Sequence, residues 1–159
     1  MFLVDVVNET DLPIDEAAAV RAVLFVFESE GLSPGEVALA FIDEDAMAEL
    51  NERYRGGDGA TDVLSFPGDD DSDWPDPEAD DDESRPPSLG DVIVCPSVAR
   101  RNAAEDGITT AEELRRLVVH GVLHLLGYDH ELDDGEMKAR EAAILDDPAW
   151  GASALLPSE

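Results

Sequence analysis

Between Thr110 and Leu126 the apolar residues Leu114, Leu117, Val118, Val122, Leu125 and Leu126 recur at three- and four-residue spacing. That period is helical, and an apolar face so wide must be covered on most sides. A helix of this kind belongs in the middle of a domain, so the remaining elements must supply its cover. Thr110-Ala-Glu-Glu113 has the form of a capping box, which predicts that the helix opens there. Gly127 stands where it should end, in a left-handed conformation that glycine adopts without strain.

The cover is legible on both sides of this segment. Phe2 to Val7 reads as a first strand, and Asp11-Leu-Pro-Ile opens an apolar helix that stops at Gly31. Val37 to Ile42 reads as a second strand buried on both faces. Asp43 is the N-cap of a helix through Met47, Leu50 and Tyr54. Thr61 to Phe66, closed by Pro67, and Leu89 to Val94 read as two more strands. Pro96 then begins a helix that Gly107 ends. A last amphipathic helix is predicted from about Asp134 to Leu145. The succession favours an α+β fold: one small mixed four-stranded sheet with about five helices.

Residues 1–147 are expected to form a single domain, with 148–159 as a flexible tail. Gly68 to Ser88 is packed with Asp, Glu, Pro and Ser and reads as a disordered acidic insertion between two strands. Trp74 is its only large apolar residue and reads as loosely held.

Composition narrows the function. At 159 residues the chain can bury about two-thirds of its unfolded surface, so it needs no disulfide staples. Its single cysteine, Cys95, excludes an internal disulfide and suggests a reducing compartment. No signal peptide is apparent, and the most apolar stretch, Ala17 to Phe27, is too short to cross a bilayer. A cytoplasmic protein without a membrane partner is expected. The formal net charge of −29 is a solubilising surface first. It also repels nucleic acid at long range, and its sharper reading is a basic partner surface.

The chemistry concentrates in His120-Gly-Val-Leu-His124-Leu-Leu-Gly127-Tyr-Asp-His130. His120 and His124, four apart on a helix, project from one face a turn apart. A reversal at Gly127 can return His130 toward them. Three neutral imidazoles suit one Zn2+ ion per chain, with the fourth position open to water. The chain has only three histidines, and all of them fall in this segment, which makes ordinary core or surface roles a poor account. A structural metal would want a fourth protein ligand, for which Cys95 is the candidate, although free cysteines behind a strand usually act as small hydrophobes. The spacing matches the long zinc motif of metzincin proteases, with Gly121 where those enzymes carry the glutamate base. Peptide hydrolysis has thereby lost its proton acceptor.

Three blocks then resemble the YbeY family of bacterial rRNA maturation factors and endoribonucleases. They are Leu50-Asn-Glu-Arg-Tyr54-Arg55-Gly-Gly-Asp58 with Thr61-Asp-Val-Leu-Ser-Phe-Pro67, Leu89-Gly-Asp-Val-Ile-Val94, and the histidine segment ending Gly127-Tyr-Asp-His130. The acidic insertion is longer than the family's core leads one to expect and resembles that of actinobacterial members. The resemblance implies a metalloprotease-like scaffold and one zinc on His120, His124 and His130. It also implies cleavage of single-stranded RNA, maturation of the 16S rRNA 3′ end and a role in ribosome quality control. The family's important arginine falls on Arg55, whose own sequence context reads only as a surface cation at a helix end. Small ribosomal subunit proteins would be partners, and DNA would not.

Two other readings stand beside this one: a metallohydrolase of an amide substrate, and a non-catalytic, zinc-containing assembly factor of the small subunit. Arg53, Arg55, Arg100, Arg101, Arg115 and Arg116 flank the motif blocks and could line a basic groove, though such pairs usually form a solvated face. Asp129 is either an orienting group or a turn residue, and Asp62 and Ser65 carry no assigned chemistry.

Overall fold

The computed structural model describes residues 3–30, 35–67, 88–126 and 135–145. The elements are β1 (Leu3–Asn8), α1 (Glu16–Glu30), β2 (Glu36–Phe41), α2 (Glu44–Arg55), β3 (Val63–Pro67), β4 (Ser88–Val94), α3 (Pro96–Asp106), α4 (Thr110–Leu125) and α5 (Glu136–Leu145). The four strands make one mixed sheet in the order β1-β2-β4-β3. β1 and β4 run parallel to β2, and β3 pairs antiparallel with β4, placing Ser65 opposite Val92. The predicted α+β class, four strands and five helices are all present.

Alternation along the strands divides the apolar residues between two faces. Val37, Leu39, Phe41, Val92 and Val94 are buried in one large core with α1 and α4. Leu64 joins Ile42, Met47, Cys95 and Val98 in a second, smaller core, packed against Ala40, Phe66 and Ile93. On β2 only the alternate residues Val37, Leu39 and Phe41 are fully buried, while Ala38 and Ala40 are half-buried. The run Ala-Leu-Ala-Phe-Ile predicts burial on both faces, and the structure buries one face fully and the other by half. The second face has the thinner cover, because Met47 is the one buried residue that α2 sets against it.

α4 begins one residue from where the sequence motif placed it. Thr109, not Thr110, is the N-cap, and it exchanges hydrogen bonds with Glu112 in a reciprocal capping box. Either threonine–glutamate pair has the same spacing, so packing decides between them. In the observed frame Thr110 and Glu113 are buried, and Glu113 pairs with Arg116 at 2.7 Å. α1 begins at Glu16, later than Asp11, because Asn8 and Thr10 draw the preceding residues into a side-chain-bonded turn. Most of the acidic insertion (68–87), the tail and the reversal at 127–134 lie outside the described residues.

So much negative charge on one small body is self-repulsive, and salt screens it. Raising NaCl from about 0.05 M to about 1 M is expected to lift Tm by about 5 °C. A Tm that stays level or falls in a calorimetric salt series would contradict this.

Candidate metal centre

α4 carries two of the three predicted ligands on one face. The rings of His120 and His124 lie 5.0 Å apart, centroid to centroid, and are inclined at 71°. The closeness of the rings follows from four-residue spacing on a helix. Nδ1 of His120 lies 3.2 Å from Oε2 of Glu141 on α5. His130 lies outside the described residues, as do Gly127 and Asp129. Among the described residues no group of three His, Cys, Asp or Glu side chains could hold an ion.

Glu141 was missed in the sequence, although a signal was there. It stands four residues after Met137 and three before Ile144, both almost fully buried, so it places a carboxylate on the inner stripe of α5.

Gly121, the residue after the first histidine, faces the sheet. A Cβ built there would meet Val92 Cγ1 at 2.5 Å and Ser65 Oγ at 3.3 Å. The helix approaches β3 so closely that Ser65 Oγ donates a hydrogen bond to the Gly121 carbonyl at 3.1 Å. The glycine is therefore favoured by packing, and a side chain enters only if Val92 or the helix shifts.

Arg55 closes α2, where Gly56 takes the left-handed conformation at φ 66°. Its guanidinium donates to the Ser65 backbone carbonyl and lies 5.6 Å from the Phe66 ring centroid. Ser65 therefore binds Arg55 through its carbonyl and the histidine helix through its hydroxyl, so a single residue of the edge strand β3 joins the two predicted functional elements. Beside this junction Tyr54 is 59% exposed, with its ring edge-to-face on Phe66. Among the described residues Arg55 makes no ion pair, its partners being a neutral carbonyl and a ring.

Among the described residues, three of the other cations that the sequence grouped are taken up in ion pairs. Arg53 pairs with Glu49, Arg101 with Glu44 at 2.7 Å, and Arg116 with Glu113 and Asp106. Asp62 proves structural: its carboxylate accepts from Val63 N–H at 2.8 Å and from Asn102 at 3.2 Å, and its carbonyl accepts from Cys95 N–H. Cys95 is fully buried in the smaller core, and burial pushes its thiol up from the usual range. In that core, separate from the one that packs the histidine helix, it acts as a small hydrophobe.

Taken together, these features define a small α+β protein built around a paired-histidine helix that is clamped to an edge strand. A family profile described as Endoribonuclease YbeY matches residues 7–148. The chain is 41% identical over 146 residues to the Endoribonuclease YbeY of Salinispora tropica, covering 89% of this chain and 93% of that one. It is 39% identical over 152 residues to the protein of the same name from Acidothermus cellulolyticus, covering 94% and 92%. Among solved structures, the solution structure of TM1509 from Thermotoga maritima superposes with a TM-score of 0.59 at 28% identity, covering 90% of this chain and 87% of that one. The chain belongs to the YbeY family.

Proposed function

We propose that this protein is a zinc-dependent endoribonuclease specific for single-stranded RNA, acting in maturation of the 16S rRNA 3′ end and in ribosome quality control. The observation that carries the proposal is the pair of imidazoles on α4, a turn apart, one with its Nδ1 beside a carboxylate. Family membership supports the reaction class.

His120, His124 and His130 would hold the ion. The donors fit zinc: imidazole nitrogens are among its common ligands, and a carboxylate on the second nitrogen of one ligand is the usual outer partner. Once bound, zinc supplies a Lewis acid and a water of lowered pKa. RNA brings its own nucleophile, the 2′-hydroxyl beside each phosphodiester. Arg55 pairs with the phosphate and stabilises charge that develops on its oxygens. Its hydrogen bond to Ser65 fixes the guanidinium beside the helix that carries the histidines, while its remaining N–H groups can meet the substrate. Gly121 removes the position from which a protease base would act, which disfavours an amide substrate.

The net charge and the paired cations favour weak affinity for free RNA. Positioning would then come from basic proteins of the small ribosomal subunit, in the cytoplasm. Among the described residues no helix is long and apolar enough to cross a membrane.

The test is cleavage of a labelled single strand against the same sequence as a duplex, with zinc content measured on the same preparation. Arg55→Ala is expected to slow cleavage by about 10²–10³-fold, the range for losing one preorganised donor to developing charge, with zinc content unchanged. Normal cleavage in that variant would remove Arg55 from the mechanism, and a zinc-loaded wild type that cleaves neither strand would favour the assembly-factor reading.

A further inference from the structure

We infer that Glu141 is a positioning residue of the metal centre, holding His120 in the tautomer and ring orientation that present Nε2 to the ion. The inference rests on the zinc reading above and extends it to α5, the helix that follows the histidine segment.

An imidazole that binds a cation through one nitrogen must carry its proton on the other. Left alone in water, neutral histidine exchanges between its two tautomers and its ring turns about χ2. A carboxylate at Nδ1 removes both freedoms, since it accepts only an N–H and accepts it in one ring orientation. Oε2 of Glu141 lies 3.2 Å from Nδ1 of His120. The glutamate side chain is only 16% exposed, and that of the histidine 27%. A carboxylate that close to Nδ1 also raises the electron density available at Nε2.

The placement of Glu141 is unusual for a glutamate on an amphipathic helix. Met137 and Ile144 are buried to within 2% and share its face of α5. A glutamate with no partner to serve would be expected on the opposite, solvated side. α5 is held in place independently. Arg140, the preceding residue, bonds Glu30 and donates to the Ser29 carbonyl at 2.6 Å, both at the end of α1. The helix is thus anchored to α1 by one residue and meets the histidine by the next, so the carboxylate need not reorganise when an ion arrives.

The experiment compares the full chain with Glu141→Gln and Glu141→Ala. Zinc affinity is read by competition with a chelating dye, and the His120 tautomer by 15N NMR of the metal-free protein. The wild type should take up one zinc ion and show His120 protonated at Nδ1 before metal is added. Glu141→Ala should lose that tautomer preference and bind zinc about 10–100-fold more weakly. Glu141→Gln, whose amide oxygen still accepts the N–H, should recover most of the affinity. A merely structural glutamate would lower Tm in the alanine variant but leave affinity and tautomer as they were, and that outcome overturns the inference. Equal loss in both variants would make Glu141 a ligand itself and overturn it as well. A wild-type chain that takes up no zinc removes the metal reading, and this inference with it.

Discussion

Replacing His124 with alanine is expected to reduce zinc affinity by at least about 100-fold, more than the loss expected from any outer partner. Cleavage of single-stranded RNA should fall to background in the same preparation. One of the three proposed imidazoles cannot be replaced by the surroundings: Cys95 sits in the other core, and the pairing found for Glu141 is with His120. The protein should stay folded, because His124 is half-buried near the end of α4 while the helix is fixed by Leu114, Leu117, Val118, Val119, Val122 and Leu123. Elemental analysis, circular dichroism and cleavage on one sample separate these effects. Full zinc occupancy with cleavage intact would remove the histidine helix from the mechanism.

Gly121→Glu should produce the largest structural effect, and it should not create a protease. The position invites that change, since a glutamate after the first histidine would complete the metzincin pattern. The Cβ alone would stand 2.5 Å from Val92 Cγ1, and Val92 is a stiff, fully buried β-branched residue in the middle of β4. Overpacking of this kind costs about 1–3 kcal/mol, against a gain of about 1 kcal/mol from replacing a helical glycine with alanine. An approach of 2.5 Å puts the overpacking in the upper part of that range, about 2–3 kcal/mol, so Gly121→Ala should lower stability by about 1–2 kcal/mol, a Tm loss of about 2–8 °C at this chain length. The glutamate adds a carboxylate to the interface between helix and sheet. Burying it unpaired costs several kcal/mol more, a large part of the roughly 5–15 kcal/mol that holds a domain together. Loss of the folded state is the expected result, seen as a lost cooperative melt and no casein cleavage. Val92→Ala should restore part of what Gly121→Ala loses, because it removes the atom in the way. An alanine variant as stable as the wild type would show that the helix can lift off the sheet, and the steric account would fail.

Several features were legible because they depend on neighbours in the chain. The four strands and five helices followed from apolar period, and the stop at Gly107 follows from the left-handed backbone there. The meeting of His120 with His124 followed from helical spacing alone. Capping was legible only to within a residue. Thr109–Glu112 and Thr110–Glu113 satisfy the same local rule, and the burial of Thr110 and Glu113 settled which pair would be used.

What the chain determined by itself, then, was periodicity, punctuation and the spacing of two histidines along one helix, all set within a few residues by backbone geometry. Tertiary structure decided the rest, because each remaining feature is a distance between elements far apart in sequence. Ser65 joins Arg55 to Gly121 across the edge strand, Val92 leaves little room for a side chain on the opposing helix, and Glu141 reaches His120 from a different helix. No local rule encodes those contacts, since they arise only when the sheet and both helices share one core.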